Sequence, residues 1–157
     1  MDLDPQYFEE RKEKAKRLYD SKRTIHNPYL DCEVVLNSDG FHHLQFSVRT
    51  ERSKKEQLLK FRLLPLALET IRRAGTLQEY RRTLQPVGRA SAHRGTVMKQ
   101  VEYWGFVAIL GKHEAPVKLR TILRRVGDGN VIFWSVMPDT KFKKGKQRLF
   151  DEGMEDN

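Results

Sequence analysis

Cysteine is almost absent. Cys32 is the only one among 157 residues, which excludes an internal disulfide and any CxxC metal or redox pair and fits a reducing compartment. No apolar run approaches the roughly 20 residues that a membrane-spanning helix needs. The opening stretch, MDLDPQYFEERKEK, is charged from its second residue and has no apolar core of a secretory leader, so a cytoplasmic location is expected. No GxxxxGK[ST], GxSxG, HxH or HExxH is present, and His26, His93 and His113 lie far apart in the chain. Neither a metal nor another cofactor is expected.

What is abundant is positive charge. Lys and Arg number 30 against 21 Asp and Glu, a formal charge of +9, which favours polyanions as partners. The length suits one core. Residues 1–30 read as a helix with a connector, 31–138 as a single α+β domain, and 139–157 as a tail, basic and then acidic, expected to be poorly ordered. Lys141, Lys143 and Lys144 in that tail could hold phosphates without reading sequence, or simply keep the chain soluble.

Asp4 as N-cap and Pro5 at the first helical position, with acidic residues following, predict a helix whose sparse apolar stripe is Tyr7, Phe8, Ala15, Leu18 and Tyr19. Asn27-Pro28 closes it. Cys32–Leu36 and Phe41–Val48, joined by the turn Asn37-Ser38-Asp39-Gly40, read as a β-hairpin. Ser53 opens a long helical pattern, with a kink or break expected near Leu64 because Pro65 follows, and Gly75 as its stop. Thr76-Leu77-Gln78-Glu79 has the form of a capping box, so a short helix bounded by Pro86 is expected, then a loop over 85–95.

Val97–Leu110 reads as a long buried strand. Val117–Met137 follows as two strands around the turn Gly127-Asp128-Gly129-Asn130. In the first of these, Val117, Leu119, Thr121 and Leu123 alternate with Lys118, Arg120 and Arg124, giving one apolar and one basic face. The expectation is an α+β fold: N-terminal helix, β-hairpin, helical segment, then a three-stranded antiparallel meander, with the helices on one sheet face.

The histidine pair in GFHHLQFS, the Leu- and Arg-rich helix after it, and a meander ending in FWSVMP resemble the phage-associated branch of the barnase, EndoU, colicin and RelE superfamily of ribonuclease folds, over roughly residues 31–138. The resemblance implies a metal-independent RNA endonuclease, toxin-like and borne by a phage or mobile element, with RNA and a cognate inhibitor protein as partners. By position it implies His42 or His43, Arg120 or Arg124, and Ser135 as contributing residues.

The residue types suit that chemistry. Attack by a 2′-hydroxyl needs a base and an acid, and imidazole titrates in the useful range. His43 is the first choice and His42 the second; a structural histidine beside a surface one is the alternative. Arg120 and Arg124 could stabilise charge on the phosphate, with Lys118 beside them, although a solvated basic face would read the same way. Ser135 could position the phosphate, and Tyr103 could bond it or stack on a base, though Tyr103 and Trp104 equally suit a core. The rival functions are a noncatalytic nucleic-acid-binding module and a protein-interaction subunit.

Overall fold

The computed structural model describes residues 3–91 and 95–139. Helix α1 spans Pro5–Ser21 and starts as expected, the Asp4 side chain accepting from Gln6 N–H at 3.0 Å; no acidic residue falls in its first turn. Strands β1 (Thr24–Asn27) and β2 (Cys32–Val35) follow, then helices α2 (Ser38–Gln45) and α3 (Lys54–Arg73), then strands β3 (Glu79–Ser91), β4 (Gly95–Lys112), β5 (Ala115–Val126) and β6 (Ile132–Pro138). The six strands form one sheet in the order β1-β2-β6-β5-β4-β3.

The α+β class and the antiparallel β4-β5-β6 meander agree with the sequence reading. Four local expectations do not. The partner of β2 is the preceding β1, and the segment beginning at Phe41 is helical. Asn37 explains the helix: its Oδ1 accepts from Gly40 N–H at 3.1 Å, which turns the expected hairpin turn into an N-cap. Phe41 and Leu44 then share one buried helical face, so their spacing served a helix and not a strand.

The predicted short helix after Thr76 is instead the start of β3, and β3 runs on through much of the predicted loop. Side chains from Arg81 to Val87 alternate between partly buried and exposed, a period of two that outweighs the capping-box signature. Pro86 is tolerated because β3 is an edge strand.

Of the kink or break expected at Pro65, the break is absent: α3 runs through it as one helix. A proline inside a helix costs roughly 3 kcal/mol, whereas each buried leucine contributes about 1.5–3 kcal/mol. Leu63, Leu64 and Leu68 are all buried around it, so packing wins. Asn27 secures the far end of the helix: its Nδ2 donates to the Ile71 carbonyl at 2.9 Å.

The main core joins Phe8, Ala15 and Tyr19 of α1 and Phe61, Leu64 and Ile71 of α3 to Phe106, Leu119, Leu123, Phe133 and Val136 of the sheet. These sheet residues define the helix-covered face, so the predicted apolar side of β5 is the one the helices cover. The opposite face carries a second cluster of Val101, Tyr103, Ile122, Trp134 and Met137. Helix α2 lies against β6, close enough that a Cβ on Gly40 would sit 2.3 Å from the Phe133 carbonyl oxygen.

Candidate active site

Register brings the first pair together. Tyr103 of β4 lies opposite Arg124 of β5, and Arg124 Nε donates to the Tyr103 hydroxyl at 3.2 Å. Tyr103 in turn donates to Gln85 Oε1 of β3 at 3.1 Å. A phenol, itself held by an amide from the next strand, thus holds the guanidinium, which remains partly exposed.

A β-bulge supplies the next residue. Pairing between β5 and β6 shifts from Ile122↔Ser135 to Leu123↔Phe133, which leaves Trp134 as the extra residue. Its indole carries the Arg124 guanidinium 4.3 Å from the ring centroid and the His43 imidazole 4.0 Å away, stacked at 20°. Both groups therefore contact the same indole. Trp134 Nε1 is buried and has no hydrogen-bond partner among the described residues.

Arg52 orients the imidazole. Its Nε donates to the His43 carbonyl at 3.0 Å, an Nη lies 3.4 Å from His43 Nε2, and another pairs with Glu56 at 3.1 Å. A guanidinium can only donate, so the Nε2 contact is a hydrogen bond when that nitrogen is unprotonated.

Beyond the bulge, Lys60 reaches from α3 to β6. Its Nζ donates to the Val136 carbonyl at 2.7 Å and to Ser135 Oγ at 3.2 Å. Burial, and secondarily the nearby Arg52 charge, lowers the amine to a pKa of about 7, against the opposing pull of Glu56.

Of the residues expected from the sequence, His43, Arg124, Tyr103 and Ser135 gather around Trp134. His42 does not; it is exposed and stacked on Phe46 at 4.5 Å. Arg120 shares the sheet face but is buried, its Nη2 donating to Asp139 Oδ1 at 2.7 Å, with Glu79 3.9 Å from its Nε. Lys118 pairs with the other oxygen of Asp139 at 3.1 Å and is about half exposed. Asp139, expected in the tail, has its carboxylate on this face, held by Arg120 and Lys118. Lys141, Lys143 and Lys144 lie outside the described residues.

Sequence reasoning missed Lys60 and Arg52. A signal for Lys60 existed: it is in helical phase with Leu64, Ala67 and Ile71, all buried, so a cation stood on the apolar stripe. Arg52 sits in the link before α3 and carried no such mark. Among the described residues no cluster could hold a metal ion, and no helix is long and apolar enough to cross a membrane. No protein-family model, curated protein or solved structure matches this chain.

Proposed function

We propose that the protein is a metal-independent RNA endonuclease, toxin-like and associated with a phage or mobile element, that cleaves by attack of a 2′-hydroxyl on the adjacent phosphate. The observation that carries this reading is the gathering of His43, Arg124 and Ser135 around the bulged Trp134, with the Lys60 amine on the same serine. His43 is the first proton-transfer group, taking the 2′-hydroxyl proton on Nε2 once Arg52 Nη2, 3.4 Å from that nitrogen, has moved aside. Lys60, with a pKa of about 7, can give a proton to the departing 5′-oxygen near neutrality. The 2′-oxygen to phosphorus bond forms, the bond from phosphorus to the 5′-oxygen breaks, and the products are a cyclic phosphate and a 5′-hydroxyl.

Arg124 faces the growing phosphate charge, and Ser135 positions it. Trp134 Nε1 is an unmet donor for a phosphate or base oxygen. Arg120, engaged by Asp139, supports the face electrostatically, and Lys118 extends the basic path.

RNA incubated with the protein in EDTA should yield fragments ending in cyclic phosphate, and H43A should remove that cleavage. Intact RNA with the wild-type protein at all tested pH values would defeat the proposal. One observation favours the rival, a noncatalytic nucleic-acid-binding module: His43, Lys60 and Ser135 are 4%, 3% and 0% exposed, so substrate reaches them only after a side chain moves. That rival predicts salt-sensitive retention of RNA without fragments.

A further inference from the structure

A second site lies between α1 and α3, away from the sheet face that carries Tyr103 and Arg124. It is a cleft of about 300 Å³ whose floor is apolar, built from Ala15, Leu18, Phe61 and Pro65. Its rim is cationic, from Arg11, Lys14 and Arg62. No carboxylate pairs with any of these three among the described residues, although α1 carries Glu9, Glu10 and Glu13 on the same helix. Two of the cations converge instead on a phenol: Arg62 Nη2 donates to Tyr7 Oη at 2.8 Å, and the Arg11 guanidinium sits 5.1 Å above the Tyr7 ring. Those contacts, Arg62 first and Arg11 second, hold the Tyr7 phenol below its ordinary range.

The cleft therefore offers an apolar floor and three cations. A nucleic-acid phosphate would use only the cations. A peptide would use both features, placing an aliphatic or aromatic side chain on the floor and setting carboxylates against the rim.

We propose that this cleft docks an acidic segment of a partner protein, one apolar anchor flanked by Asp or Glu. The docking does not depend on the nuclease reading, because none of its residues belongs to the sheet-face site.

The probe is a fluorescein-labelled peptide of about 12 residues, Glu-rich with Leu or Phe at every third or fourth position, titrated into the full chain and read by anisotropy. Saturable binding is expected. It should weaken by about tenfold or more in R11E/R62E, whose fold is checked by circular dichroism, and to a similar extent when the peptide's Leu and Phe are replaced by Ala. Three results would each overturn the proposal: no binding at about 100 µM peptide, equal binding by the Ala-substituted peptide, or displacement of the peptide by a short oligoribonucleotide whose own binding R11E/R62E also loses. If R11E/R62E unfolds, R62Q, which removes one cation without adding a negative charge, should still weaken the peptide, and unchanged affinity there counts against the cleft.

Discussion

Lys60 Nζ sits 2.7 Å from the Val136 carbonyl oxygen and 3.2 Å from Ser135 Oγ, so a buried amine is held by two neutral acceptors and, among the described residues, by no anion. Burial outweighs both bonds, and the amine prefers to lose its proton at a pKa of about 7.

The sign of the resulting pH dependence follows from which state holds the proton more tightly. The unfolded lysine keeps it up to about pH 10.5, the native one only to about pH 7. Below about pH 7 both states are charged and the native state bears the full penalty of a buried cation. Between the two values the unfolded chain binds the extra proton, so stability rises with pH, at up to about 1.4 kcal/mol per pH unit from this group. Urea unfolding of wild type and K60M at pH 6 and pH 9 checks this: wild type should gain more than K60M over that interval, and equal gains would mean that Lys60 does not titrate there.

The Arg124 guanidinium both stacks on Trp134 and bonds Tyr103, which a lysine cannot reproduce because its ammonium is a point charge without a planar fork. R124K should therefore resemble R124Q, each weakening RNA retention by about tenfold at low salt. Filter binding across a salt series measures it. Recovery of wild-type affinity by R124K would show that charge alone matters at this position.

The parts legible in the sequence were those with a period and a stop. The alternation of Val117 to Arg124 gave the two faces of β5 correctly, and Asp4-Pro5 gave the start of α1. Phe41–Val48 failed because Asn37 serves equally as a turn residue and an N-cap, and only packing against Phe133 and Tyr19 decides. Thr76–Glu79 failed because a capping box is a local preference, while pairing of Glu79 with Gly105 is a long-range one. For the candidate site, Trp134 owes its position to a one-residue slip in pairing with β5, which no window of β6 alone contains.

Arg120 and Asp139 are both almost fully buried and bonded at 2.7 Å. Removing Asp139 leaves Arg120 with the more distant carboxylate of Glu79, 3.9 Å from its Nε, at a cost of up to about 3–5 kcal/mol. D139A should therefore lower the urea midpoint strongly, whereas K118A, at the half-exposed end of the same carboxylate, should change stability by less than about 1 kcal/mol. Similar small effects from both substitutions would mean that Asp139 contributes little to holding the end of β6.

Gly40 sets the distance between α2 and β6. A methyl group there would meet the Phe133 carbonyl oxygen at 2.3 Å and the Tyr19 hydroxyl at 2.6 Å, and the first of these is backbone in the middle of the core. The helix must then move outward, because a β6 carbonyl flanked by Phe133 packing has less freedom than an eight-residue helix. His43 rides on that helix, three residues along, so its 4.0 Å stack on Trp134 is the contact that opens. G40A should destabilise by about 1–3 kcal/mol, as overpacking does, and should alter the near-ultraviolet circular dichroism of the tryptophans. Any cleavage activity should fall further than stability at a temperature where the variant is still fully folded. A G40A protein with unchanged tryptophan dichroism would show that α2 does not set the imidazole's position.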